Sequence, residues 1–150
     1  MFESILVTLD GTARSEAVMP YALETARRFG SKITLLRVVD QPRRDESGVM
    51  QAPRARRSAE EMILDSLIEQ AQSYLVTIGR QLHDGGLAAH EDVRVGRPGE
   101  QIVKAATEHR ADVIAMATRS RQGLSRLVFG SVAEYVLRES HLPVLLITAA

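Results

Sequence analysis

The 150-residue chain contains no cysteine, which excludes disulfides, thiolate zinc sites, iron–sulfur clusters and a cysteine nucleophile. It has no tryptophan and only three Phe and three Tyr, few rings on which the bases of a nucleic acid could stack. It carries no net charge, since 19 Lys and Arg balance 19 Asp and Glu; that argues against a protein held on nucleic acid by bulk charge. No apolar stretch approaches the roughly 20 residues that a membrane span requires. The opening residues, Met1 to Val7, lack a basic region and read at once as a strand rather than a signal peptide. Walker A, Gly-x-Gly-x-x-Gly and the Gly-x-Ser-x-Gly nucleophile elbow are all missing. His83, His90, His109 and His141 show no pair at a metal-binding helical spacing and read as surface or helix-end residues. What remains is 45% apolar and 25% charged, a globular composition. No linker or internal repeat divides it, so one domain over residues 1–150 and a cytoplasmic location are expected.

Ser4 to Leu9 is an apolar, β-branched run with no polar alternation, as in a strand covered on both faces. After Asp10-Gly11-Thr12, helical spacing joins Val18, Tyr21, Ala22, Thr25 and Phe29, with Ser15 as candidate N-cap, Pro20 inside and Gly30 as the stop. Ile33 to Val39 is a second strand. Residues 41–57, with five arginines and two prolines, read as a long, mobile, basic and solvated loop, the alternative being a contact with an acidic partner or RNA. Leu64, Leu67, Ile68, Ala71, Leu75, Ile78 and Leu82 then make one helical stripe, opened by a Ser58/Glu61 capping box and closed by Gly85-Gly86. A less apolar strand, Leu87 to Val95, belongs at a sheet edge. A Gly96-Arg97-Pro98-Gly99 turn leads into a helix with Ile102, Val103 and Ala106. Asp112 to Ala117 is a fourth strand, Thr118 to about Leu127 a polar loop, Gly130-Ser131 the start of a helix with Val132, Val136 and Leu137, and Pro143 to Thr148 a fifth strand. This β-α alternation predicts an α/β fold, a doubly wound parallel sheet with helices on both faces. Ligands of such sheets bind beyond the carboxyl ends of the strands, at the switch point.

Asp10, at the end of the first strand, is either a ligand-facing carboxylate or a turn residue that caps the next helix. The fourth loop brings Arg119 and Arg121 together with hydroxyls, ahead of the Gly130-Ser131 helix start. Free N–H groups at a helix N-terminus with cations nearby suit a phosphate; the alternative is a solvated loop ending in an ordinary cap.

With these residues in view the chain resembles the universal stress protein family over nearly its whole length. The resemblance is carried by Val7-Thr8-Leu9-Asp10-Gly11-Thr12, Leu36-Arg37-Val38-Val39-Asp40, Val95-Gly96-Arg97-Pro98-Gly99-Glu100-Gln101-Ile102, and the segment from Gly123 through Gly130-Ser131-Val132-Ala133 to Pro143-Val144-Leu145. The nucleotide-binding branch carries Gly-x2-Gly-x9-Gly-Ser/Thr, where this chain reads Ala117-x2-Ser120-x9-Gly130-Ser131. The spacing and the last two residues are kept, while the first two glycines are replaced. The resemblance implies a five-stranded sheet of order 3-2-1-4-5, Rossmann-like and of the adenine nucleotide alpha hydrolase type. It also implies ATP, with Mg²⁺ as a candidate companion, as the ligand. By position, Val38 would contact adenine through its backbone, and Asp10 would face the ribose or a phosphate-bound metal. Thr8 and Leu9 would border the pocket, with Gly96 at its edge. Met116, Ala117 and Ser120 would line base and phosphates, and Gly130, Ser131 and Val132 would hold phosphate oxygens.

The expected function is a nucleotide-binding regulator of the stress response rather than an enzyme, at most a slow ATPase, because no residue is placed as a general base. The competing reading is an interaction or scaffold dimer with a degenerate pocket. In either case the apolar last strand, 143–148, invites antiparallel pairing of two copies around Val144 to Ile147, the surface to which the resemblance also points. The alternative for that strand is burial under helices with the edge capped by the chain end. Neither a nucleic acid nor a membrane is expected as a partner.

Overall fold

A computed structural model describes residues 1–41, 54–119 and 129–149, and the helix side chains from residue 59 onward. The elements run β1 (Ser4–Thr8), α1 (Ala13–Glu16), α2 (Met19–Phe29), β2 (Lys32–Asp40), α3 (Arg54–Asp84), β3 (Ala89–Gly96), α4 (Pro98–Glu108), β4 (Val113–Arg119), α5 (Ser131–Glu139) and β5 (Val144–Ala149). The five strands form one sheet of order β3-β2-β1-β4-β5, and every pairing is parallel. The doubly wound sheet expected from the alternation is the one observed.

The strand sequences explain why two layers of helix are needed. Successive side chains of a strand point to opposite faces. In β1, Ile5 and Val7 pack with Ile33, Leu35, Val113 and Ala115 beneath Ala22 and Ala26 of α2 and Leu75, Ile78 and Leu82 of α3. Leu6, between them, packs on the other face with Leu36, Ile114 and Met116 under Ile102 and Ala105 of α4 and Ala133 and Val136 of α5. Ile5, Leu6 and Val7 are all essentially inaccessible, so the continuous apolar run reflects two buried faces. A methyl-depleting change there, such as Leu6→Ala, would cost about 2–5 kcal/mol.

Several boundaries differ from the sequence reading, each for an identifiable reason. The first helical region is two helices. Thr12, not Ser15, is the cap, its side chain accepting the Ser15 N–H at 3.2 Å. A single turn follows, and the chain restarts so that Pro20 falls in the first turn of α2, where a missing N–H breaks no helical bond. The third helix begins at Arg54, four residues ahead of Ser58, so the Ser58/Glu61 capping box is not its start and residues 54–57 are helix rather than loop. Arg and Ala are good helix formers and extend it. Its apolar stripe is uneven: Ala71, Leu75, Ile78 and Leu82 are buried, but Leu67 is 40% exposed. β3 starts at Ala89, two residues after Leu87, and lies at an edge as expected. β4 continues through Thr118 and Arg119, which the sequence reading assigned to the loop. Pairing with Thr148 and Ala149 of β5 holds these two in the sheet. The expected loop features at 42–53 and 120–128 lie outside the described residues.

Candidate functional site

The sheet order reverses its direction of growth between β1 and β4, and helices on opposite faces diverge there. Beyond the carboxyl ends of β1, β2 and β4 lies a cavity of about 380 Å³, within the range of small-molecule pockets. Its floor is apolar, made by Leu36 and Val38 of β2, Met116 of β4, Ile102 of α4 and Val132 and Ala133 of α5. Thr8, Asp10, Ser15, Thr118 and Ser131 supply polar atoms around this floor, and Arg14 and Arg119 supply cations.

The turn after β1 is shaped by its own short side chains. Asp10 Oδ1 accepts the Thr12 N–H at 2.9 Å and the Thr12 hydroxyl at 2.6 Å. The Asp10 N–H donates to Ser15 Oγ at 3.1 Å, and the Ser15 hydroxyl donates to the Thr12 carbonyl at 2.8 Å. Asp10 is therefore both of the things its position suggested: it stabilises the turn, and it lines the cavity. Partial burial raises its pKa, but the hydrogen bonds from Thr12 and Ser15 and the charge of Arg37 outweigh that, so the carboxyl titrates below its ordinary value. It is ionised at neutral pH. Gly11, at φ +86°, lets Arg37 pass over the turn; a Cβ there would fall 1.9 Å from Arg37 Nη1. Arg37 in turn lies 5.3 Å above the Tyr74 ring of α3, and the Tyr74 hydroxyl donates to Glu16 Oε1 at 2.6 Å. Burial and the Glu16 carboxylate raise the Tyr74 pKa, so it stays a neutral donor.

The opposite wall is the start of α5. Gly130 caps it at φ 82°, ψ 157°, a conformation essentially restricted to glycine. The Glu134 N–H donates to the Gly130 carbonyl at 3.0 Å and closes the first helical turn. The N–H groups of Ser131, Val132 and Ala133 precede that bond and have no acceptor within the helix. The Thr118 hydroxyl donates to the Phe129 carbonyl, tying the entrance of α5 to the end of β4.

Of the residues singled out in the sequence, Thr8, Leu9, Asp10, Val38, Met116, Ala117, Gly130, Ser131 and Val132 all line this one cavity. Gly96 does not; it ends β3, paired with Asp40. Ser120 lies outside the described residues, as does Arg121. Arg14 and Ser15, Leu36, Pro98, Ile102 and Phe129 line the cavity without having been marked for it. Leu36, Pro98 and Ile102 read simply as core or turn residues, and nothing in their spacing distinguishes a pocket wall from a core. Arg14 was obscured by placing the cap three residues later, at Ser15, which left Arg14 outside the helix. Its Nε is shut off from solvent and has no hydrogen-bond partner among the described residues, an arrangement that ordinarily costs roughly 1–3 kcal/mol.

The histidines lie at the surface or at a helix end, as the sequence reading has it: His83, His90 and His141 are exposed and His109 caps α4, and the fold adds partners that the sequence did not show. His109, at the end of α4, bonds Asp92 Oδ2 through Nε2 at 2.6 Å, and its ring lies 5.3 Å from that of His90. Among the described residues no group of three or more His, Asp or Glu is arranged to hold a metal ion. No helix among them is long and apolar enough to cross a membrane.

Comparison with known proteins places this arrangement in a lineage. A universal stress protein of Methanocaldococcus jannaschii, MJ0531, is 29% identical over 150 residues, covering 98% of this chain and 82% of the relative. A second from that archaeon, MJ0577, is 27% identical over 154 residues, covering 98% and 95%. The solved structure of MJ0577 superposes with a TM-score of 0.77 at 25% identity, over 100% of this chain and 98% of that one. A universal stress protein from Archaeoglobus fulgidus, solved in complex with dAMP, shares the fold at a TM-score of 0.64 and 24% identity, over 99% of this chain and all of that one. The profile of the universal stress protein family matches residues 1–148. With its five-stranded sheet, its cavity at the switch point and a match over almost every residue, the chain belongs to the universal stress protein family.

Proposed function

We propose that this chain binds an adenine nucleotide, ATP in the first instance, and acts as a stress-response regulator rather than an enzyme. The observation that carries the reading is the cavity at the switch point, which combines an apolar floor with the amide-rich start of α5. The apolar residues around Val38 and Met116 suit a flat base. The ionised Asp10 suits ribose hydroxyls, and the free N–H groups of Ser131 and Val132 suit phosphate oxygens. Ala117 stands where the nucleotide-binding branch has glycine, and its single methyl group is a small addition to the cavity wall. Structures with dAMP and with cAMP among related folds agree with a nucleotide of this class. Among the described residues nothing in the cavity is placed as a general base next to the α5 start, and the proposed hydrolysis is well below an enzyme-like rate of about 10 s⁻¹.

The regulator would work as a homodimer joined through β5, and nucleotide binding would alter what the dimer presents. The test is the melting temperature with and without Mg²⁺-ATP, paired with calorimetry. A ligand at a hundred times its Kd adds about 2.7 kcal/mol to the folded state, so a clear rise is expected. No rise at millimolar ATP together with flat calorimetry would replace this reading with that of a scaffold whose pocket takes no nucleotide. Gly130→Val should abolish binding while the protein still folds. The reason is mainly the backbone angle, since among the described residues a Cβ at Gly130 would meet only Thr118 Oγ1, at 3.5 Å.

A further inference from the structure

We propose that Arg14 is a phosphate-binding residue of this cavity and makes the site select nucleoside di- and triphosphates over monophosphates and cyclic monophosphates. The inference rests on the nucleotide reading above and concerns which end of the ligand the site measures.

Arg14 projects from the one-turn helix α1 and lines the cavity together with Arg119 at the end of β4 and Ser131 at the start of α5. Its Nε is sealed from water without an acceptor among the described residues, and none of the ion pairs found among them involves it. Neither acid close to it in sequence is paired with it: Glu16 Oε1 accepts the Tyr74 hydroxyl. Asp10 spends Oδ1 on the two Thr12 donors, and the cation that acts on its carboxylate is Arg37. An anion that enters the cavity therefore meets a guanidinium on its wall whose charge no carboxylate among the described ion pairs offsets.

One phosphate needs no more than the helix start. Two guanidinium groups, Arg14 on α1 and Arg119 at the end of β4, each add a planar donor fork, the geometry that matches phosphate oxygens. A chain of two or three phosphates can engage both the α5 amides and Arg14, whereas a monophosphate engages one of them. This arrangement also makes up for the changed glycine frame: the backbone approach that glycine allows is replaced by a side-chain cation from a different element.

The experiment is calorimetric titration of the full-length protein in EDTA at low salt with adenosine, AMP, cyclic AMP, ADP, ATP and inorganic tripolyphosphate. The wild-type protein should bind ATP at least about tenfold more tightly than AMP, as expected for an added charge-assisted contact. Arg14→Gln should bring that ratio to within about threefold by weakening ATP more than AMP, and Arg14→Lys should restore part of it. Should Arg14→Gln fail to fold, as judged by its melting curve, Arg14→Met serves the same comparison. An unchanged ATP-to-AMP ratio in the neutral variants overturns the inference and leaves the nucleotide reading standing. Equal binding of AMP and ATP by the wild-type protein does the same. Binding of tripolyphosphate alone, weakened by Arg14→Gln, upholds the anion site and overturns the adenine reading. No binding of any of these by the wild-type protein overturns both.

Discussion

The two edges of the sheet are built in opposite ways. At one edge, β3 carries His90, Glu91, Asp92 and Arg94 and is burdened with charge. Asp92 Oδ2 accepts from Arg94 Nε at 2.9 Å and meets His109 Nε2 at 2.6 Å, and Arg94 reaches on to Glu108 of α4. Asp92 and Arg94 side chains keep only 16% and 15% of their surface in water. At the other edge, β5 reads Val-Leu-Leu-Ile-Thr-Ala, and Val144 to Ile147 are only half-buried. Leu145 and Ile147 lean on one core while Val144 and Leu146 lean on the other. Among the described residues β5 pairs with β4 alone. A strand edge offers unpaired N–H and C=O groups to any other strand, and charged side chains are a common way to discourage this. β3 has that protection and β5 does not. The first edge is closed by its sequence and the second is left open, and it is through the open edge that the proposed homodimer would form.

The largest expected effect breaks the β5 side of this contrast. Wild-type protein at micromolar concentration should scatter light as roughly twice 16.5 kDa. Leu145→Lys or Leu146→Lys, which place like charges near the axis, should return it to the monomer mass. A wild-type monomer would end the dimer reading. The second prediction breaks the β3 side. Asp92→Ala removes the acceptor of Arg94 Nε and the partner of His109 Nε2, leaving Arg94 only Glu108, and should lower stability by about 1–3 kcal/mol without changing the mass. Thermal melts with light scattering on the same sample check both halves of that statement.

The smallest effect sharpens the comparison through pH. Burial raises the Asp92 pKa, but the bonds from His109 and Arg94 more than reverse this, so the folded value lies below the ordinary 3.8. Stability from such a group is complete above the unfolded value and is lost as pH falls through the folded one. Melting temperature should therefore decline from about pH 5 downward, and Asp92→Asn should flatten part of the decline. Asp10, shifted in the same direction, accounts for a further share of the slope, which Asp10→Asn would remove. An Asp92→Asn profile that overlays the wild type would show that the β3 network contributes nothing in acid.

Much of this molecule was readable from local pattern. The unbroken apolar run at β1 required two covered faces, and the alternation of strands and helices then required a parallel sheet with crossovers. The Asp10 turn and Gly130-Ser131 stood out because turn chemistry and helix starts are written in neighbouring residues. The edge position of β3 followed from its weaker hydropathy in the same way.

What local pattern left open depended on partners far away in the chain. Thr118 and Arg119 are strand because β5 is there to pair with them, and no property of either residue announces that. Leu67 repeats at core spacing yet stands 40% exposed, because periodicity describes one face of a helix but not whether another element covers it. His90 and His109, nineteen positions apart, become neighbours only when α4 returns across β3. Arg14 looks like an ordinary surface cation until the Thr12 cap turns α1 toward the cavity. Sequence alone determined which segments form strands and helices and which turns are special, because those depend on residues within a few positions. The cavity wall, the paired charges on β3 and the bare apolar edge on β5 were decided by tertiary structure, because each depends on side chains that only the folded sheet brings within a few ångströms.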